Sequence, residues 1–166
     1  MTTVTLKGNP FQIFGALPEA GNVAPDFSLV KTDLSVAHRD DFKGKKTILN
    51  IFPSLDTAVC AASVRKFNAE AANIPGVNIV CVSKDLPFAH SRFCTTEGIE
   101  NLVNASTFRD NNFGKDYGVM LTEGPLEGLL ARSVVVLDEE GKVIYSQLVP
   151  EITEEPDYDA ALAVVK

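Results

Sequence analysis

The stretch Thr47-Ile-Leu-Asn-Ile-Phe-Pro-Ser-Leu-Asp-Thr-Ala-Val-Cys60 joins a short apolar run to a segment with helical spacing. The run Thr47–Phe52 is apolar and partly β-branched, which is typical of a buried central strand. Pro53 ends this strand, and Thr57 is a good N-cap for a helix that we predict over Ala58–Asn73. The stretch therefore predicts a strand, a loop and a helix, the repeating unit of α/β proteins.

The rest of the chain extends this unit in both directions. The predicted strands are Val4–Lys7 and Phe11–Phe14 around a turn at Asn9-Pro10, then Phe27–Val30, Val77–Ser83, a short one from Leu102-Val103, and a hairpin of Ser133–Leu137 and Lys142–Leu148. The predicted helices are Asp85–Glu97 with Asp85 as N-cap and Gly98 as the stop, Asn111–Tyr117, and Pro156–Val165. This order predicts an α/β fold with a thioredoxin-like mixed central sheet, helices on both faces and an N-terminal β-hairpin.

Length and composition narrow the class of protein. The chain has 166 residues, so at about 150 residues per domain we expect one domain over 1–166. Its net charge of −7 disfavours nucleic-acid backbones and anionic membrane surfaces as partners. No run approaches the roughly 18 apolar residues of a membrane span, and the N-terminus lacks a secretory signal pattern. We therefore expect a cytoplasmic protein, in which a disulfide is more often catalytic or sensing than structural.

The three cysteines are Cys60, Cys81 and Cys94, and no pair has C-x-x-C spacing. With only two histidines, a zinc site of Cys and His ligands would need four of five residues at unrelated spacings, so no metal and no cofactor is expected. A cysteine protease needs a histidine base. His38 lies in a polar stretch and His90 in a predicted helix, and neither carries a supporting signature.

Cys60 falls at the third position of its predicted helix, where unpaired N–H groups and the helix dipole favour a thiolate. The end of a strand in an open α/β sheet is also where such folds place their sites. The alternative is a small buried cysteine under the helix start. Cys81 lies among strand-forming apolar residues and is interpreted as buried and inert, whereas Cys94 has polar neighbours and is the better partner for an oxidised Cys60.

Arg132 stands at the entry to a predicted strand. Such an arginine is either a solvated charge at a sheet edge or a fixed cation that stabilises a thiolate, and spacing does not decide between them.

The pattern Pro53-x-x-x-Thr57-x-x-Cys60, with the later Arg132, resembles the active site of the peroxiredoxins. Segments 50–68, 85–94 and 131–162 resemble the bacterial thiol peroxidases, which are atypical two-cysteine peroxiredoxins. This resemblance covers essentially the whole chain.

The resemblance implies a peroxidase that reduces hydrogen peroxide and organic hydroperoxides. Cys60 would be the peroxidatic thiolate, Thr57 would hydrogen-bond the reacting oxygens, and Arg132 would stabilise negative charge. Pro53 would close the pocket, and Cys94 would resolve the sulfenic acid into a Cys60–Cys94 disulfide. Thioredoxin would be the reductant and a homodimer the assembly, with no cofactor or metal.

Two cysteines on separate helices rarely meet the Cα spacing of about 4.4–6.8 Å that a disulfide needs. We therefore expect local unwinding around Cys60, Cys94 or both during turnover. Two other functions are compatible with the same sequence. One is a redox sensor or relay that passes the disulfide to a partner protein, and the other is a non-catalytic thioredoxin-like binding module.

Overall fold

A mixed sheet forms the centre of the computed structural model, which describes residues 2–166. The strands are β1 (Thr2–Leu6), β2 (Asn9–Phe14), β3 (Ser28–Lys31), β4 (Val36–His38), β5 (Lys46–Ile51), β6 (Val77–Ser83), β7 (Val103–Ser106), β8 (Met120–Leu121), β9 (Ser133–Leu137) and β10 (Val143–Leu148). The helices are α1 (Ala58–Ala71), α2 (Pro87–Glu97), α3 (Phe113–Asp116) and α4 (Tyr158–Ala163), with a 3-10 turn at Arg39–Phe42.

The central sheet has seven strands in the order β10-β9-β5-β6-β7-β3-β4. Strands β5, β6 and β7 are parallel, and the other neighbours in this sheet are antiparallel. A separate antiparallel sheet of three strands, β1-β2-β8, carries the N-terminal hairpin. The parallel strands are joined by α1 and α2, as expected for crossover connections. The predicted mixed sheet and N-terminal hairpin are confirmed.

Alternate residues of the central strands divide the core into two apolar clusters. On β5, Ile48 belongs to the cluster that packs against α1, α2 and α4, whereas Leu49 belongs to the cluster that packs against α3 and the N-terminal hairpin. Phe67 of α1 and Phe113 of α3 are both fully buried in their respective clusters. Helices therefore cover both faces of the sheet, as the sequence predicts.

The hairpin turn lies earlier than predicted. Lys7 and Gly8 both have positive φ, at 51° and 83°, so they form a two-residue turn that suits the twist of the flanking strands. Strand β2 consequently begins at Asn9 and includes Pro10, which faces Thr5 across the ladder. Nothing in the sequence pattern indicated the short strands β4 and β8. Among residues 2–166, no helix has the length and apolar character needed to cross a membrane.

Candidate active site

Cys60 lies in the first turn of α1, which a loop at 52–57 connects to the carboxyl end of β5. Thr57 is the N-cap, with extended backbone angles of φ −109° and ψ 146°, so Cys60 is the third helical residue as predicted. The Thr57 hydroxyl does not cap the helix but donates to the Ser54 carbonyl at 3.0 Å. The Cys60 side chain is completely buried, among apolar residues that include Val64 of the same helix.

Arg132 brings a buried cation to this thiol. The residue precedes β9, the neighbour of β5 in the sheet, and is 1% exposed. Its Nη2 donates to Cys60 Sγ at 3.2 Å, and its Nε donates to the Ile152 carbonyl at 3.0 Å. Its Nη1 has no hydrogen-bond partner. The structure thus excludes the solvated edge charge that the sequence left open, and it gives the thiol a fixed positive neighbour.

A cavity of about 560 Å³ adjoins this pair. Three of the predicted site residues, Pro53, Thr57 and Arg132, line it. The other lining residues come from the hairpin, the loop before α1, the first turn of α1, the loop before β9 and the segment after β10, and they are Leu6, Lys7, Ser54, Ala58, Val59, Leu126, Leu129, Ile152 and Thr153. The cavity is large enough for an organic molecule. Of its two charged lining residues within 2–166, Lys7 is exposed and Arg132 is buried.

The loop from β5 to α1 is held in place by the carboxylate of Asp85. One carboxylate oxygen accepts from Ser54 Oγ at 2.8 Å, and the other accepts from the Leu55 N–H at 2.8 Å and from Ser83 Oγ at 2.6 Å. The sequence predicts Asp85 as the N-cap of α2, but the N-cap is Leu86, with Pro87 as the first helical residue. The prediction was wrong because the carboxylate turns toward the unpaired donors of the loop rather than toward the helix start.

Cys94 lies near the end of α2 and is half-buried, more exposed than Cys81, as expected from its neighbours. Burial raises the pKa of the Cys94 thiol, and a hydrogen bond from Asn104 opposes that shift. The Asn104 amide lies 2.6 Å from Cys94 Sγ. Cys94 and Asn104 line a second cavity of about 250 Å³, which shares no lining residue with the first. The structure therefore places Cys60 and Cys94 in different environments, with both thiols free.

Cys81 is fully buried in β6. Burial raises the pKa of this thiol to about 12, so it stays protonated and unreactive at neutral pH. This environment agrees with the inert role that the sequence indicates. In the part of the chain that the structure describes, no group of three or more His, Cys, Asp or Glu side chains is arranged to hold a metal ion.

Sequence reasoning missed the residues that reach the site from distant parts of the chain. The carbonyl of Ile152 anchors Arg132, and Leu6 and Lys7 of the hairpin form part of the cavity wall. None of these residues belongs to a local motif, because the sequence around a backbone carbonyl or a packed leucine does not show which distant residue it contacts. The position of Asp85 just after a buried strand is typical of a site residue. The same position, just before a predicted helix, also suits an N-cap, which is the role predicted from the sequence.

The chain is similar to known proteins along nearly its whole length. Residues 19–162 match the Redoxin family. Thiol peroxidases from Mycobacterium bovis and Mycobacterium tuberculosis are 54% identical to this chain over 165 residues, which is 99% of each protein. The crystal structure of a peroxiredoxin-like protein from Aquifex aeolicus superimposes with a TM-score of 0.94 at 45% identity, covering 99% of this chain and 96% of that one. A thiol peroxidase from Chromobacterium violaceum has the same fold, with a TM-score of 0.90 at 24% identity over 98% of this chain and 94% of that one.

Proposed function

Because this chain belongs to the Redoxin family and is a thiol peroxidase of the peroxiredoxin type, we propose that Cys60 is its peroxidatic residue. The Cys60 thiolate attacks the terminal oxygen of a hydroperoxide. The S–O bond forms while the O–O bond breaks, which gives a Cys60 sulfenic acid and an alkoxide that takes up a proton to leave as an alcohol or water. The observation that carries this proposal is the 3.2 Å contact between Arg132 Nη2 and Cys60 Sγ beside a cavity.

Arg132 supports this chemistry in two ways. Its guanidinium, held by the Ile152 carbonyl, places a positive charge 3.2 Å from the buried Cys60 sulfur, where it stabilises negative charge that develops on the reacting atoms. Its unpartnered Nη1 is a free donor for the negative charge that develops on the peroxide oxygens as the O–O bond breaks. Both effects are electrostatic and are prearranged by the fold.

Thr57 and Pro53 shape the entry to the thiol. The Thr57 hydroxyl is exposed to the cavity, and rotation away from the Ser54 carbonyl would let it donate to a peroxide oxygen. Pro53 is buried, has no N–H, and keeps water from the sulfur. The large, mostly apolar cavity favours organic hydroperoxides as substrates in addition to hydrogen peroxide.

Cys94 is proposed as the resolving thiol. Its sulfur attacks the Cys60 sulfenic acid, so that an S–S bond forms, the S–O bond breaks, and hydroxide leaves and is protonated to water. Because the Cys60 sulfur is completely buried against Arg132 and the Cys94 sulfur lies against Asn104, we expect this step to need local opening of α2, of the start of α1, or of both. A dithiol protein such as thioredoxin then reduces the disulfide by thiol–disulfide exchange. We also propose that the enzyme works in the reducing cytoplasm and as a homodimer.

The test is a titration of the reduced protein with one equivalent of cumene hydroperoxide, followed by mass mapping of every thiol. We expect a Cys60–Cys94 disulfide with Cys81 free. Cys60→Ser should abolish peroxide consumption, Cys94→Ser should leave a trappable sulfenic acid at Cys60, and Cys81→Ser is the matched control that should behave as wild type.

Three free thiols after this titration would contradict the proposal, and a bridge through Cys81 would contradict the choice of Cys94. The reductant is tested separately by coupling the reaction to thioredoxin and its reductase. Repeated turnover supports the peroxidase cycle, whereas a single turnover that ends in a stable mixed disulfide with another protein would indicate a redox relay.

A further inference from the structure

His90 and Asn104 carry two buried polar atoms that lack hydrogen-bond partners. His90 is 0% exposed and Asn104 is 3% exposed, and the orphaned atoms are His90 Nδ1 and Asn104 Oδ1. The two side chains are neighbours. Burial lowers the pKa of His90 to about 4, and the charge of Asp85 and the nearby Asn104 amide oppose this shift. At neutral pH the imidazole is therefore uncharged and carries one proton.

The position of that proton follows from the neighbouring serine. Ser83 Oγ lies 2.6 Å from Asp85 Oδ2 and 3.0 Å from His90 Nε2. A carboxylate only accepts, so the single Ser83 proton goes to Asp85. His90 Nε2 must then donate to Ser83, which leaves Nδ1 as an acceptor in need of a donor.

The Asn104 amide can supply this donor. Its two ends exchange by a 180° rotation, and the surrounding hydrogen bonds decide between them. In the structure the NH2 end of Asn104 faces Cys94 Sγ. With the amide rotated so that this end faces His90 Nδ1, the oxygen faces Cys94 and accepts from the thiol. This orientation gives both orphaned atoms a partner, as buried polar groups require. The result is an unbroken series of hydrogen bonds from the Cys94 thiol to the Asp85 carboxylate.

We propose that Asn104 and His90 form a latch that holds Cys94 in its own cavity and connects it, through Asp85, to the loop at 53–57. Asn104 contacts the sulfur, and His90 is the positioning residue that fixes which end of the amide faces it. This inference rests on the proposed function, since it concerns Cys94 as the resolving thiol. The latch delays the resolving step and so lengthens the life of the sulfenic acid at Cys60.

The direction of the effect follows from which state contains the contact. The Cys60 sulfur is buried against Arg132 and the Cys94 sulfur lies against Asn104, with both thiols free, so we infer that the Cys94 sulfur leaves Asn104 before it reaches Cys60. A contact that is present in the resting state and absent in the reacting state raises the barrier between them. One ordinary hydrogen bond corresponds to about a fivefold change in such an equilibrium.

The experiment measures disulfide formation after one equivalent of cumene hydroperoxide, by rapid quenching with a sulfenic-acid trap and mass spectrometry. We expect Asn104→Leu and His90→Leu each to speed disulfide formation by about fivefold and to leave the peroxide-consuming step unchanged. The double variant should be no faster than either single variant, because both remove the same latch. If the leucine variants do not fold, Asn104→Ala and His90→Gln replace them in the same measurement.

The matched control is Glu97→Gln on the same helix. It breaks the exposed Arg65–Glu97 ion pair of 3.1 Å without touching Cys94, and we expect no change in rate. An equal acceleration in this control would overturn the latch in favour of general loosening of α2. Unchanged or slower disulfide formation in the Asn104 variants would also overturn it.

A second measurement separates this inference from the proposed function. Hydrogen exchange of residues 87–97 in the reduced protein, without any peroxide, should be about fivefold faster in Asn104→Leu than in wild type. If the Cys94→Ser variant still forms a disulfide at Cys60, Cys94 is not the resolving thiol. The exchange experiment would still report whether Asn104 holds α2. Equal exchange in the two proteins would overturn the latch whatever the role of Cys94.

Discussion

The guanidinium of Arg132 has three nitrogens in three different surroundings. One donates to a backbone carbonyl, one to the Cys60 sulfur, and one has no partner. A buried cation that is only partly satisfied is costly for stability, and such a group is often retained for function. In the proposed mechanism, this free Nη1 donor is available to the reacting oxygens.

We expect Arg132→Met to reduce kcat/KM for peroxide by about 10²- to 10³-fold, the usual loss on removing one prearranged donor from a reacting oxygen. Arg132→Lys should fall between this variant and wild type, since a lysine keeps the charge but not the planar fork. Stopped-flow peroxide consumption measures both effects.

Thermal unfolding provides the check on folding. Removing a buried cation with an orphaned N–H should leave the Tm of Arg132→Met unchanged or slightly higher. Arg109→Met, which removes an exposed arginine stacked over Phe108, is the control and should keep full activity. A large drop in the Tm of Arg132→Met, together with the loss of activity, would indicate a structural role for Arg132 instead.

At the scale of elements, the sequence predicted the parts that depend on local signals. The apolar run of β5, the stop at Pro53 and the N-cap at Thr57 lie within a dozen residues of one another, so they were enough to put Cys60 in the first turn of α1. The contacts of Asn104 and Ile152 with the two thiol sites depend on strand pairing across the chain. Residue spacing contains no such information, and these contacts were missed.

The buried imidazole of α2 makes stability depend on pH. Burial lowers the pKa of His90 to about 4 in the folded protein, whereas the unfolded chain titrates near 6.5, so the unfolded state takes up the proton first. This contribution is fully present above about pH 6.5 and is lost as the pH falls toward 4.

The free energy of unfolding in urea should therefore drop by up to about 3 kcal/mol between pH 7 and pH 4 on account of His90. His90→Gln should show a correspondingly flatter profile over this range. His38→Gln, at an exposed position, is the control and should retain the wild-type slope. Identical slopes in wild type and His90→Gln would show that the imidazole is not buried in solution.

At the scale of the whole molecule, Glu151 joins the two ends of the chain. Its carboxylate accepts from the backbone N–H groups of Lys7 and Gly8 in the hairpin turn, and from Thr5 and Thr153. The Thr153 hydroxyl and backbone, together with Gly8, lower the pKa of Glu151 to about 2, so it stays charged at any physiological pH. The carboxylate thus joins two segments that form part of the wall of the cavity of about 560 Å³ beside Arg132.

We expect Glu151→Ala to raise the KM for cumene hydroperoxide severalfold while it changes kcat/KM for hydrogen peroxide much less. A bulky substrate depends on the fixed wall, whereas a small one needs only the thiol and Arg132. Steady-state kinetics with both peroxides measures the difference. Glu154→Gln, an exposed glutamate nearby, is the matched control, and equal losses with both peroxides would show that the wall does not select the substrate.

The two cavities draw their walls from separate parts of the chain, the first from the hairpin and residues 53–59 and 126–153, the second from residues 31–33 and 94–104. A substitution in the hairpin or in residues 126–153 that alters the fit of a peroxide therefore changes no residue that lines the Cys94 cavity. During evolution, specificity for the peroxide and specificity for the reducing partner can therefore change separately. Descendants of one ancestor can adapt to new oxidants without having to acquire a new reductant at the same time.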